Sequence, residues 1–286
     1  MDGGYGGDRG VAVVGLTMYC ARGPRVPHAR RFASLLIVGG GVFLPAVLLT
    51  ALLAFGLPSL PRLVDAPRPG NLTIAVSGEQ WWWRVRYLTP GSYVDLANEI
   101  RLPVGERVEV WLTSDNVIHS FWIPAISGKI DMIPGRTTHL SLEPTRTGTF
   151  RGTCAEYCGT SHALMAFPVA VLEKNAFDAW LSAEARPAQE PATPLTRRGR
   201  ELFLENGCSA CHTIRGTPAA GVIGPDLTHV GGRMSLAAAT LPNEMAQMTA
   251  WISDPERVKP DVHMPAFGVL GPAQLQAIAA YLIELR

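Results

Sequence analysis

The apolar residues of this chain follow three successive patterns. Residues 32–57 contain no charged side chain and form a longer apolar stretch than the roughly 20 residues that cross a bilayer, so they predict one transmembrane helix. Residues 66–184 contain short alternating runs, and residues 195–286 show helical spacing. The chain is therefore expected to be multidomain, with a single membrane helix, a β-rich domain and an all-α domain.

The β-rich segment contains five runs of alternating or β-branched residues, separated by Gly, Pro, Asn and Asp. Short strands at this spacing are typical of a sandwich or a barrel. The runs are 72–77, 82–87, 107–112, 138–142 and 169–172.

Helical signals begin at the end of the β-rich segment. Residues 176–183 predict a short helix, and residues 185–194, with three prolines, predict a semi-rigid linker. Thr196 is expected to cap a helix that runs to Glu205. The last helix, predicted from Pro272, is amphipathic. Its predicted apolar face comprises Leu275, Ile278, Ala279, Leu282 and Leu285.

Charge and leader signals constrain the partners and the compartment. The net charge of +1 gives no field for nucleic acid. Four arginines between positions 22 and 31 precede the apolar stretch, so residues 1–31 are expected to be cytoplasmic and the later domains external. A cleaved signal peptide is disfavoured, because its apolar core is shorter and ends at small residues. Cys20 follows a bulky Tyr19, which argues against lipidation.

One short segment carries several soft metal ligands. Cys154, Cys158, His162 and Met165 lie within twelve residues, and His119 lies upstream. Thiolate, thioether and imidazole groups suit copper, and two thiolates can bridge two metal ions. A disulfide between the two cysteines and a Cys2His2 zinc site are the alternatives. The other ligands argue against a disulfide, and Met165 together with the β-rich frame argues against zinc.

A second cofactor pattern follows in the helical segment. Cys208, Cys211 and His212 form the C-x-x-C-H motif by which haem is attached covalently. His212 is expected to bind the iron, and Met264, in an extended stretch bounded by prolines, is expected to bind its other side. The weaker candidates for that position are Met234, Met245, Met248, His229 and His263.

The copper motif resembles a known family. Residues 154–165 read C-x-E-x-C-G-x-x-H-x-x-M, and residues 117–124 read VIHSFWIP, which is similar to the binuclear copper A region of cytochrome c oxidase subunit II. The resemblance extends over about residues 40–180, including the aromatic stretch 78–83. It implies a cupredoxin-like Greek-key β-sandwich, and the haem motif adds a fused cytochrome c domain.

The resemblance also implies a role for each ligand. Cys154 and Cys158 would bridge the coppers, His119 and His162 would each bind one copper, and Met165 and the Glu156 carbonyl would be weak ligands. The Glu156 carboxylate would reach a magnesium ion at the interface with the catalytic subunit. Trp81 would be the surface aromatic residue at which electrons enter.

The implied function is electron transfer in a bacterial plasma membrane. The haem would receive electrons from a quinol-oxidising complex or a small cytochrome c, and the copper pair would pass them to oxidase subunit I, which reduces oxygen to water. Other oxidase subunits and membrane lipid are the remaining partners of this proton-translocating oxidoreductase. Two alternatives stay open, a copper A subunit of a nitric oxide reductase and a copper delivery protein.

The sequence departs from the family in two respects. The family commonly has two membrane helices, whereas the apolar stretch here matches the second one. The family also often carries a glutamate just inside that helix, whereas the matching residues 35–38 contain no carboxylate. A role of this subunit in proton entry is therefore not expected.

Overall fold

The computed structural model describes residues 14, 17–19, 21, 29–59, 67–68 and 70–286. The chain divides into two compact units, Met1–Arg62 and Leu63–Arg286, which are described separately. Cys20 and most of the predicted cytoplasmic segment 1–31 lie outside the described residues.

The first unit contains one long apolar helix. It consists of α1 (Ala29–Leu35), a π-helical stretch (Leu36–Phe43) and α2 (Leu44–Gly56). Among the described residues, Arg30–Gly56 is the only helix long and apolar enough to span a membrane, with a mean hydropathy of 2.4 over an 18-residue window. Pro45 lies in the first turn of α2, inside this continuous helix, and membrane helices tolerate such a proline. The helix agrees closely with the predicted span 32–57.

The second unit begins with two five-stranded sheets packed face to face. One sheet has the order β3-β2-β1-β5-β8 and the other the order β4-β10-β9-β6-β7. Neighbouring strands are antiparallel except for β1 with β5 and β4 with β10, which are parallel. The strands are β1 (Leu72–Glu79), β2 (Trp82–Thr89), β3 (Ser92–Ala97), β4 (Ile100–Pro103), β5 (Val108–Ser114), β6 (His119–Trp122), β7 (Ile130–Met132), β8 (Thr138–Leu142), β9 (Gly148–Cys154) and β10 (Ala166–Leu172).

Alternation along the strands produces the core of this sandwich. In β2 every second side chain is buried, and Trp83 is only 1% exposed. Its ring lies edge-on against Phe121 of β6 and Phe167 of β10, with centroid separations of 5.8 and 5.1 Å. Such aromatic pairs add roughly 0.5–1.5 kcal/mol each beyond the burial of their area. The two sheets are thus joined directly beneath the metal-ligand loop.

Helices form the rest of the second unit. They are α3 (Lys174–Glu184), α4 (Pro194–Glu205), α5 (Met245–Ser253), the short α6 (Pro255–Val258) and α7 (Pro272–Glu284). The predicted apolar face of α7 is confirmed, since all five of its residues are at most 6% exposed. The predicted cap of α4 is wrong. Thr193 is the N-cap and accepts a hydrogen bond from the Thr196 backbone, because Pro194 begins the helix two residues before Thr196.

The sequence patterns located five of the ten strands, and all five occur within three residues of the predicted start. The five others are short or weakly patterned, as in β9, whose sequence GTFRGTC has little alternation. These include β6 and β9, the two strands that carry proposed copper ligands.

Candidate copper and haem site

The proposed copper ligands converge at one end of the sandwich. β6 and β9 are antiparallel neighbours in which Phe121 is opposite Cys154, so His119 is brought to the start of the ligand loop. The ligand atoms of His119, Cys154 and Cys158 all lie within 4.8 Å of one another. All three side chains are buried, with His119 fully inaccessible. His119, which lies 35 positions before Cys154 in the sequence, thereby comes next to the ligands of the loop 154–165.

The two thiols are free and close. Their sulfur atoms are 3.8 Å apart, far beyond the 2.05 Å of a disulfide bond. The Cys154 sulfur lies 3.8 Å from His119 Nδ1, and the Cys158 sulfur lies 3.5 Å from His162 Nδ1. Each thiol therefore has its own imidazole partner, which is the arrangement that two bridged metal ions would need.

Two weaker donors complete the cluster. The Met165 sulfur lies 3.8 Å from the Cys158 sulfur, and the Glu156 carbonyl oxygen lies 3.2 Å from the Cys154 sulfur. Met165 is fully buried, so its thioether has no solvent contact. Glu156 is half-buried. All six sequence-predicted ligand groups are thus brought together.

The two cysteines differ in acidity. The neighbouring Cys158 side chain and His119 lower the pKa of Cys154 well below its usual range. The neighbouring Cys154 sulfur and burial raise the pKa of Cys158. A thiolate is the form in which cysteine binds metal. The donor set and its burial fit a soft metal pair.

Glycine makes room for His119. A Cβ atom at Gly78 of β1 would lie 2.7 Å from His119 Cδ2 and 2.8 Å from its Cγ, closer than Cβ atoms normally approach. Hence the imidazole packs directly on the backbone of β1. This contact limits movement of the imidazole toward β1.

Trp81 lies between the copper ligands and the helical domain. Its indole Nε1 donates a 2.9 Å hydrogen bond to the Cys158 carbonyl, and Gln80 Nε2 donates another of 2.9 Å to the same oxygen. The side chain is 4% exposed, which differs from the surface position that the resemblance implies. On the side of the helical domain, the His263 ring lies 6.4 Å from its ring, and Lys259 donates to its backbone carbonyl. Its role in electron entry stays a prediction.

The C-x-x-C-H motif opens onto a large cavity. Cys208, Cys211, His212 and Met264 all line a space of about 340 Å³, within the usual range for small-molecule sites. His212 Nδ1 lies 2.8 Å from the Pro225 carbonyl oxygen. A hydrogen bond donated by Nδ1 to this oxygen would leave Nε2 free to bind iron. Burial lowers the pKa of His212, which favours the neutral ligand form. Of the weaker candidates for the second iron ligand, Met248 and His263 also line the cavity. His229 does not line it, and its Nε2 lies 3.0 Å from the Arg186 carbonyl oxygen.

Residues of the copper domain line one side of the haem cavity. Gln80, Trp81, Trp82 and Asn116 of the sandwich line the same space as the C-x-x-C-H motif. Gln80 and Trp81 therefore both border the cavity and both bond the copper-ligand loop at the Cys158 carbonyl.

Comparison with known proteins identifies both domains. Residues 87–173 match the family model "Cytochrome C oxidase subunit II, periplasmic domain", and residues 196–286 match "Cytochrome c". Cytochrome c oxidase subunit 2 of Alkalihalophilus pseudofirmus is 40% identical over 77% of this chain, which spans 64% of that protein. The subunit 2 of Bacillus sp. (strain PS3) is 32% identical over 83% of this chain and 69% of its own length. The chain belongs to the cytochrome c oxidase subunit 2 family.

Among solved structures, the periplasmic domain of subunit II of cytochrome oxidase from Bradyrhizobium japonicum is 34% identical. The match covers 41% of this chain and 95% of that domain, with a TM-score of 0.38. Membership of the subunit 2 family together with the cytochrome c domain implies binding of copper A and haem c. One apolar helix followed by this domain fits a single-pass membrane protein.

Sequence reasoning missed Lys259, which lies at the boundary of the two candidate centres. Its Nζ atom donates a 2.5 Å hydrogen bond to the Trp81 carbonyl oxygen, and the side chain is 2% exposed. Burial lowers the pKa of Lys259 to about 7. The only sequence signal is its scarcity, because the chain has three lysines in all.

Proposed function

We propose that this chain is the electron-transfer subunit of a haem-copper terminal oxidase. It would pass electrons from its covalently bound haem c to its binuclear copper A centre, and on to a catalytic subunit that reduces oxygen to water. The observation that carries the proposal is the pair of free, buried thiols 3.8 Å apart, each with its own histidine. When bound, the haem and the copper pair would each take up and release one electron at a time.

The residues around each centre would act by holding it rigidly. Cys154 and Cys158 would bridge the two coppers, His119 and His162 would each bind one, and Met165 and the Glu156 carbonyl would be the weak ligands. Burial of His119, Cys154, Cys158 and Met165 would limit the access of water and help to keep the ligand geometry the same in both charge states. Cys208 and Cys211 would anchor the haem, with His212 and Met264 on its two faces.

The remaining assignments concern the surroundings of the chain. The helix within 32–57 would be the anchor, with 1–31 cytoplasmic and the copper (66–184) and haem (195–286) domains outside a bacterial plasma membrane, joined by 185–194. The Glu156 carboxylate would hold magnesium at the contact with the catalytic subunit. The electron donor would be a quinol-oxidising complex or a small cytochrome c.

Cysteine variants of the full chain, expressed with haem and copper supplied, test the metal and haem assignments. The double variant Cys208→Ala, Cys211→Ala is expected to lose the haem that stays attached in a denaturing gel, because both thioether links are missing, and to keep two coppers. Cys158→Ser is expected to lose copper and keep haem. Cys20→Ser is the matched control and should keep both. Copper binding that survives Cys158→Ser would contradict the proposal.

The identity of the catalytic partner is tested on the purified complex. The proposal predicts consumption of oxygen when the donor is reduced. Rapid consumption of nitric oxide with none of oxygen would instead assign the chain to a nitric oxide reductase. Purification of the chain without any membrane partner, with copper that is released to an acceptor protein, would favour copper delivery.

A further inference from the structure

We propose that Lys259 is a positioning residue that docks the haem domain on the copper domain at Trp81. This inference rests on the proposed function and deepens it, since it assigns how the two centres are held at a fixed separation. We call the contact region the seam. It consists of Trp81, Ser161, Leu164 and Ala166 on the copper side, and Ala237, Ala238, Thr240, Lys259 and Pro260 on the haem side.

Lys259 is an unusual lysine. The other two lysine side chains of the chain, Lys129 and Lys174, are each 49% exposed, whereas Lys259 is 2% exposed. Its Nζ atom reaches two backbone carbonyls, Trp81 O at 2.5 Å and Ala237 O at 3.3 Å. Lysine is almost never fully buried unless its ammonium group has partners. Both partners here are oxygens that meet only when the two domains are in contact.

The bond to Trp81 reaches the copper ligands in one further step. The same residue that accepts from Lys259 through its carbonyl donates through its indole to the Cys158 carbonyl. Its ring also faces His263, with centroids 6.4 Å apart, one residue before the proposed haem ligand Met264. Lys259 therefore bonds the backbone of a residue that borders both centres.

Further hydrogen bonds cross the seam at the copper-ligand loop. Ser161 Oγ donates to the Pro260 carbonyl at 2.6 Å, and the Ala166 amide donates to the Ala238 carbonyl at 3.3 Å. Thr240 Oγ1 lies 3.5 Å from the Leu164 carbonyl. The loop that carries His162 and Met165 is thus bonded to the haem domain on both sides of those ligands.

The haem side of the seam contains a strained turn. Ala237, Ala238 and Ala239 have φ values of +51°, +58° and +61°, in a region that residues with a Cβ atom avoid. Such a turn persists only where its surroundings hold it. The Ala237 carbonyl accepts from Lys259, and the Ala238 carbonyl accepts from Ala166 across the seam. The turn and the docked arrangement therefore support each other.

The first experiment removes the charge but keeps the length. Lys259→Met is made in the full chain with haem and copper bound, and Lys174→Met, an exposed lysine, is the matched control. We expect Lys259→Met to keep both absorption spectra, because no proposed ligand is touched. Hydrogen exchange at the Ala166 amide should become at least tenfold faster, since the seam opens more often. Electron exchange between the two centres should slow at least tenfold, while direct reduction of copper by a small reductant stays unchanged.

The outcomes separate this inference from the proposed function. Normal spectra with unchanged exchange at Ala166 and an unchanged internal electron-transfer rate would overturn the role of Lys259 and leave the function standing. Absence of the copper or haem spectrum in the wild-type chain would instead overturn the proposed function.

A second experiment does not require a Lys259 variant to fold. An amine-reactive reagent applied to the wild-type chain should label Lys129 and Lys174 readily and Lys259 at least a hundredfold more slowly. Arg84 of the copper domain donates to the Val222 carbonyl of the haem domain at 3.0 Å, far from Lys259 in sequence. Arg84→Met should raise the labelling rate of Lys259 by roughly threefold to tenfold, because one contact between the domains is lost. Equal labelling of all three lysines, or no effect of Arg84→Met, would contradict docking by Lys259.

Discussion

Replacement of Gly78 by alanine should disturb the copper centre without touching a ligand. The added Cβ atom would lie 2.7 Å from His119 Cδ2 and 2.8 Å from Cγ. Carbon atoms in ordinary contact are about 3.5 Å apart, so the imidazole must move by about 0.8 Å or β1 must shift. Neither movement is easy, because His119 is fully buried against Trp83.

The expected magnitude follows from this overlap. Overpacking of a dense core costs about 1–3 kcal/mol, so the free energy of unfolding of the metal-free chain should fall by that amount. Metal sites require ligand positions good to a few tenths of an ångström, so copper affinity should fall roughly 10–100-fold. The copper absorption bands and hyperfine pattern of the bound form should also change, because one of two imidazoles is displaced.

The assay combines copper titration with denaturant unfolding and electron paramagnetic resonance on the full chain. Gly128→Ala is the matched control, since a Cβ atom there meets nothing within 4 Å. The control should match the wild type in all three measurements. A Gly78→Ala chain with unchanged copper affinity and spectrum would refute the placement of His119 as a ligand packed on β1.

Three further predictions address other parts of the molecule. Gly224→Ala would place a Cβ atom 2.6 Å from the His212 ring, so haem absorption should shift while copper binding is unchanged. In Glu109, burial alone would raise the pKa, but hydrogen bonds from Asn71, Ser141 and neighbouring groups outweigh it and lower the pKa to about 2. Because this folded-state pKa is below the unfolded value, Glu109 stabilises the fold above about pH 4.5 by on the order of 3 kcal/mol. This contribution is lost as the pH falls toward 2. Glu109→Gln should therefore reduce the change in the free energy of unfolding with pH between these two values. Thr193→Ala should lower the free energy of unfolding by about 1 kcal/mol in denaturant titration, because the cap of α4 is lost.

The local part of the copper site could be predicted from the sequence because its ligands are close together in the chain. Cys154, Cys158, His162 and Met165 lie on one loop, so their spacing alone limits which metals they can hold. The position of His119 depended instead on the pairing of β6 with β9, and neither strand has a clear alternating pattern. Its identification relied on the resemblance rather than on strand prediction.

The seam could not be predicted from the sequence. The bond from Lys259 to Trp81 joins residues 178 positions apart, and no periodic pattern carries information over that distance. The exposed position implied for Trp81 was wrong for the same reason, since a family motif describes the copper domain without the domain that covers it here. The cap of α4 was misplaced by three residues because Thr193 and Thr196 both suit the position, and only Pro194 decides between them.

The central claim is that this chain carries electrons from haem c to a copper pair. The most direct measurement injects one electron photochemically into the haem of the oxidised full chain and follows the haem and copper absorption bands together. The account predicts that the reduced haem band decays at the same rate as the copper band bleaches, and that Cys158→Ser abolishes this coupled phase. A reduced haem that persists beside an intact copper band, with no coupled phase, would contradict the account.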